Sequence, residues 1–369
     1  MLLYPMPLSH LSRTLQSQLQ IARLNHPLWS FRHILGGLRL AQKWFLHPDG
    51  TAPTPLALAW YLTHACPEKC DFCNVSRALK TAQPHLRFKD ARSLIDALVP
   101  TIPVVALGGG EPMAHPDVID IIRHIHTRNG RVFIVTSGTP IGPSLARELA
   151  RSNPEMIMIS LLGPEPIHDQ RMGRTGAFKR TLAAIENIQQ HRDRRKSRLI
   201  INCAISPSET AILPDVVRIA KDLGVDALRF SWLSFMSPTE QSTLPIAEPY
   251  FILPEEEIRA FDLDLLWNAV HKIQREETPF VQFLPRLSKS EFQAWFQGSG
   301  VERACLSLWH TLFLRPDAVV VPCGHMQNQE LGSLKQHPLD DIWNHQAFKA
   351  LRIQQRQKPF QMCKRCCKV

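Results

Sequence analysis

The sequence predicts an alternating α/β chain, a parallel sheet of six strands with helices between them, with a small α+β unit at the C-terminus. Three observations lead there. Between residues 56 and about 235, apolar runs of strand length alternate with segments whose apolar residues recur at helical spacing. Glycines, hydroxyls and clustered cysteines follow the ends of those runs, where the loops of a parallel sheet build sites. Near residue 316 a Pro-Asp turn separates two short apolar runs, and cysteines lie on both sides of it.

Residues 1–48 contain no Asp or Glu but hold Arg13, Arg23, Arg32, Arg39 and Lys43, with Trp29, Phe31, Trp44 and Phe45 among them. Ile34, Leu38, Ala41 and Phe45 share one helical face and the basic residues the other, a pattern suited either to an anionic membrane surface or to packing within the chain. A Pro-rich linker at 48–55 completes an N-terminal extension, 1–55. Strands are expected at 56–62, 103–107, 131–135, 156–161, 199–205 and 227–232. Between them, Ala91, Leu94, Ile95 and Leu98 mark one helix, and Val118, Ile121, Ile122 and Ile125 a second. Segment 144–151, the stretch carrying Phe178, Leu182 and Ile185, and 211–223 supply the others. Such βα repeats imply right-handed crossovers.

The loop after the first strand holds Cys66, Cys70 and Cys73 in a C-x3-C-x2-C spacing. Three thiolates suit three irons of a cubane cluster and leave the fourth open, although a zinc site or a group of buried thiols has the same composition. The spacing resembles the cluster motif of the radical S-adenosylmethionine (radical SAM) superfamily, and Phe72 matches the aromatic residue that lies near the adenine there. Gly108-Gly109-Gly110-Glu111-Pro112 is similar to the family's GGEP segment, which contacts the methionine amino group of the cofactor. The resemblance implies a partial (βα)6 TIM-type barrel over 56–235. It also implies a [4Fe-4S] cluster that binds S-adenosylmethionine and cleaves it reductively to a 5′-deoxyadenosyl radical, which abstracts hydrogen from a substrate. Gly109, Gly110, Glu111, Pro112, Thr136 and Ser160 are the expected cofactor contacts, joined by Asn202 and Arg229 at the same barrel end. Ser137 departs from the Thr-Asn-Gly of relatives, and Leu162 stands where many have Asp. His168 and Asp169 are candidate catalytic groups, with an ion pair from Asp169 to Arg171 or Arg174 and a helix cap as the structural reading. Cys203 reads as a buried structural thiol.

Residues 236–304 carry many aromatics at irregular spacing, either packing or a substrate lid. The segment 305–369 resembles the SPASM/twitch auxiliary domain of radical SAM enzymes, with Ala318 where relatives usually have Gly. By that resemblance Cys305, Cys323, Cys363 and Cys366 ligate a second, auxiliary [4Fe-4S] cluster and Cys367 is left over; a zinc ribbon would use the same four thiolates.

Nine clustered cysteines argue for ligation rather than a disulfide framework, and no apolar run is long enough to span a bilayer. With no secretory signal at Met1-Leu2-Leu3-Tyr4-Pro5, a cytoplasmic enzyme is expected, with peripheral membrane contact through residues 1–48 as a further option. A net charge of +10 suits an anionic partner. The basic N-terminus, Leu162 and the aromatic segment point to a small-molecule or lipid-like substrate. Peptide maturation is the alternative, a metal-binding nucleic-acid module the remote one. Reduced ferredoxin or flavodoxin is the electron donor expected of such an enzyme.

Overall fold

A computed structural model describes residues 48–73, 75, 84–242, 250–298, 300–303 and 305–366. The amphipathic pattern within 1–47 and Cys367 lie outside the described residues.

All six expected strands form: β1 (Ala57–Thr63), β2 (Val104–Gly109), β3 (Arg131–Thr136), β4 (Met156–Ser160), β5 (Arg198–Ile205) and β6 (Ala227–Trp232). They pair in chain order, all parallel. Alternation explains how each strand sits. In β1, Leu58, Trp60 and Leu62 are buried while Ala57, Ala59 and Tyr61 are half-buried, so one face packs on helices and the other faces the barrel interior. The helices at Phe88–Leu98 and Val118–Thr127 bury the expected residues Ala91, Ile95, Leu98, Val118, Ile121, Ile122 and Ile125.

The sheet is longer than the sequence pattern indicates. A seventh strand, β7 (Val281–Leu284), pairs parallel with β6 inside the aromatic segment. Pro279 and Pro285 flank its four residues, too short a run to stand out by periodicity. At the opposite edge, β8 (Thr311–Leu314) pairs parallel with β1 and turns into antiparallel β9 (Val319–Val321), which pairs with the two-residue β10 (Gly332–Ser333). One open ten-stranded sheet results, ordered β10-β9-β8-β1-β2-β3-β4-β5-β6-β7, a partial barrel continuous with the C-terminal hairpin. In the β8–β9 turn Ala318 adopts φ +70, a left-handed conformation that favours glycine.

Several aromatics of the segment pack together in the core. Trp232 stacks on Phe283 with centroids 5.6 Å apart and meets Phe292 and Phe296 edge-on at 5.4 and 5.9 Å. Phe235, Trp295 and Phe296 are wholly buried with them. At the other edge Arg352 sits between Trp343 and Phe348, 4.3 and 4.1 Å from their ring centres. Its Nε donates to Leu308 O at 2.9 Å and its Nη1 to Gly50 O at 3.1 Å, joining the C-terminal helix Gln346–Gln357 to the linker and to the start of the hairpin.

Candidate active site and auxiliary cysteine cavity

Cys66, Cys70 and Cys73 lie in the loop leaving β1, held from two sides by backbone. From β2, Gly110 N donates to Thr63 O at 2.8 Å and Glu111 N to Ala65 O at 2.9 Å. A Cβ on Gly110 would sit 2.5 Å from Ala65 O and 2.6 Å from His64 O, so this approach admits only glycine. From the helix Glu165–Met172, Met172 O accepts from Lys69 N at 2.9 Å, and the helix ends on Gly173 at φ +59 against the Lys69 carbonyl. Burial, then the neighbouring Cys73, pushes the Cys70 thiol up to about 12.

Two buried carboxylates tie this loop to the end of β3. Glu111 accepts from the Thr136 hydroxyl at 2.6 Å, Ser137 N at 2.6 Å and Met113 N at 2.9 Å. Its pKa is nonetheless raised, because burial outweighs those bonds. Glu68, between the first two cysteines, accepts from Ser137 Oγ at 3.2 Å, from the Thr139 hydroxyl and from the Cys66 thiol at 3.3 Å, and pairs with Arg174 at 3.4 Å. The hydroxyl and amide of Ser137 thus serve both acids. Sequence reading missed Glu68; its only signal is a charged residue inside a ligand loop.

Ser160, Asn202 and Arg229 occupy one cross-strand row, each directly opposite the next, and β7 adds Gln282. Directly opposed residues share a face, so the row turns four hydrogen-bonding side chains toward the barrel interior. The row one residue back, Ile159, Ile201, Leu228 and Val281, is buried on the helix side. Ser231 Oγ bridges the polar row, donating to Asn202 Oδ1 at 2.7 Å and lying 3.2 Å from Arg229 Nε. Gln282 escaped sequence reading because β7 did.

The segment 167–178 differs from expectation. Its first part is helical, and Asp169 caps the following helix, Ala177–His191, accepting from Gly176 N at 2.5 Å and Phe178 N at 2.8 Å. Neither arginine pairs with it: Arg171 binds Glu209 at 2.9 Å and Arg174 binds Glu68. His168 is fully buried, its Nδ1 accepting from Leu162 N at 3.0 Å, and burial brings its pKa down to about 4. It braces the end of β4. Leu162 is buried with Met172 and Ala177 beside Cys70 and Phe72, behind the cysteine loop. The Phe72 ring carries the Arg171 guanidinium 4.7 Å from its centre. Cys203 is buried as expected, its thiol raised to about 12 by desolvation.

At the far edge of the sheet, Cys305, Cys323, Cys363 and Cys366 line one small apolar cavity with Ser307, His325 and Met362. The sequence spans some sixty residues between first and last, and the hairpin brings them together. Burial, then the proximity of Cys305 and Cys323, holds the Cys363 thiol well above its usual range. Arg365, between the last two cysteines, anchors them: its guanidinium donates to Glu240 at 2.7 Å, Trp295 O at 2.5 Å and Gly298 O at 2.5 Å. Among the described residues no three His, Cys, Asp or Glu side chains are placed to hold a single metal ion.

Residues 60–200 match the model of the radical SAM superfamily, and 305–367 match that of the SPASM iron–sulfur cluster-binding domain. The chain belongs to the radical SAM superfamily. As a radical SAM enzyme it uses S-adenosylmethionine and a [4Fe-4S] cluster, and its C-terminal part is of a cluster-binding type. An AdoMet-dependent heme synthase of Methanosarcina barkeri is 25% identical over 314 residues, 81% of this chain and 85% of that protein. A PqqA peptide cyclase of Ruegeria pomeroyi is 28% identical over 190 residues, 51% of this chain and 50% of the cyclase. Streptococcus suis SuiB, solved with its precursor peptide SuiA, shares the fold at a TM-score of 0.61 and 16% identity, covering 85% of this chain and 69% of SuiB. No helix among the described residues is long and apolar enough to cross a membrane.

Proposed function

We propose that Cys66, Cys70 and Cys73 hold the [4Fe-4S] cluster that binds S-adenosylmethionine, that Cys305, Cys323, Cys363 and Cys366 hold one auxiliary [4Fe-4S] cluster, and that the enzyme matures a peptide. The observation that carries the cofactor assignment is the clustering of cysteines, three in a loop at the mouth of the partial barrel and four lining the C-terminal cavity. Such sets are poor as free thiols and good as ligands, because bound iron replaces their protons. The bound cluster and S-adenosylmethionine supply the 5′-deoxyadenosyl radical. The chain's own residues do the rest: Gly109, Gly110 and the Glu111–Thr136 pair shape the floor under the cysteine loop, Pro112 starts the short turn beneath it, and Ser160, Asn202, Arg229 and Gln282 offer polar groups to cofactor and substrate. Phe72 flanks the loop for the adenine. The proposed division is a barrel over 56–235, the aromatic segment 236–304 and an auxiliary domain over 305–369, with reduced ferredoxin or flavodoxin as donor.

A peptide substrate is supported by the PqqA cyclase relative and by the fold shared with SuiB. The small-molecule or lipid-like expectation is weaker, since Leu162 and aromatics such as Trp295 and Phe296 are buried. One observation favours a tetrapyrrole as a second reading: a heme synthase aligns over four-fifths of both chains at 25% identity, whereas PqqA cyclases align over half at 28% or over 80% of this chain at 22%.

The test is anaerobic reconstitution, reduction with dithionite, addition of S-adenosylmethionine and mass spectrometry for 5′-deoxyadenosine, with a Cys66→Ala, Cys70→Ala, Cys73→Ala variant in parallel. Product from the parent alone is expected, with about eight irons per chain. Deuterium passing into 5′-deoxyadenosine from a labelled peptide encoded beside the enzyme supports maturation; deuterium from a labelled tetrapyrrole side chain selects the second reading. No product from an iron-loaded parent overturns both.

A further inference from the structure

Glu68 is a buried acid placed among cluster ligands, its side chain 1% exposed. We infer that Glu68 and Arg174 form a charge pair that sets the reduction potential of the cluster held by Cys66, Cys70 and Cys73, with Glu68 lowering it and Arg174 moderating it. The inference rests on the ligand assignment proposed above.

The Cys66 thiol donates to Glu68 Oε2 at 3.3 Å. Iron held by Cys66 would replace that proton, which would leave the Glu68 carboxylate beside a thiolate sulfur. Glu68 is not free to withdraw. Ser137 Oγ holds Oε2 at 3.2 Å, the Thr139 hydroxyl holds Oε1, and Arg174 Nη1 lies 3.4 Å from Oε1. Charge next to a cluster changes its potential, and low dielectric strengthens the effect. The reaction is one-electron reduction of the cluster from its 2+ to its 1+ state, by dithionite in vitro. A fixed negative charge opposes the added electron, and the half-exposed Arg174 offsets part of that opposition.

The test of the pair is an EPR-monitored anaerobic redox titration of the signal that changes when S-adenosylmethionine is added. Glu68→Gln is expected to shift the midpoint positive and Arg174→Gln to shift it negative, at iron contents equal to the parent. Opposite signs from two halves of one pair are not produced by a loosened loop. No shift in either variant, or shifts in the same direction, overturns the inference. If Glu68→Gln fails to load iron, Arg174→Gln decides: a negative shift supports the pair, and an unchanged or positive one overturns it. An S-adenosylmethionine-responsive signal that survives in the triple cysteine variant instead sinks the ligand assignment.

Discussion

The Thr136 hydroxyl donates to the Glu111 carboxylate at 2.6 Å, joining the ends of β2 and β3 directly beneath the cysteine loop. Glu111→Ala strands this hydroxyl and the Ser137 and Met113 amides in a buried place. Stability is expected to fall by about 2–4 kcal/mol, the order set by unsatisfied buried donors, and chemical denaturation measures it. Glu111→Gln keeps an acceptor and is expected to lose less.

Arg365 makes a similar anchor for the C-terminal cysteines through Glu240. Removing one member of a buried pair leaves the other charge uncompensated, so Arg365→Ala should destabilise by ~3–5 kcal/mol. Arg365→Ala with Glu240→Ala should lose less than the sum of the single changes. Iron analysis should show the auxiliary iron falling first, since the Arg365 segment carries Cys363 and Cys366.

Phe296 distinguishes packing from a lid. It is fully buried against Trp232 and Phe292. Phe296→Ala is expected to lower stability by about 3–5 kcal/mol and leave 5′-deoxyadenosine formation per folded enzyme near that of the parent. A substrate lid would show the reverse, an intact melting curve with altered substrate dependence.

His168 predicts a loss of stability on acidification. Its folded pKa is about 4 against an ordinary value of 6.5, so between those pH values the unfolded chain binds more protons. Stability from this group is therefore full above about 6.5 and is lost as pH falls toward 4, by up to ~3 kcal/mol. Denaturation curves across that window should be flatter in His168→Gln.

The six barrel strands, the first helices, the hairpin and the first cysteine group were legible because each depends on local pattern; the C-terminal cysteines, spread over some sixty residues, were legible through their resemblance to an auxiliary cluster domain. An apolar run such as Leu199–Ile205 or a C-x3-C-x2-C loop carries its own signal within ten residues. The Asp169 cap was legible too, whereas its arginine partners were not: Arg171 and Arg174 chose Glu209 and Glu68, remote in sequence. Leu162 looked like a change at the reaction centre and is a packing residue, since sequence position does not report the direction of a side chain.

The sequence by itself determined the succession of the six barrel strands, the ligand types and the glycines that a close backbone approach requires, all consequences of residue chemistry at short range. Only the tertiary structure decided that β7 and β8 extend the sheet at opposite edges, and that Ser160, Asn202, Arg229 and Gln282 share a row. It alone placed Glu68 between a cysteine thiol and Arg174. Register, burial and charge pairing arise from contacts between residues far apart in the chain, and no local pattern encodes which of several compatible partners a side chain will meet.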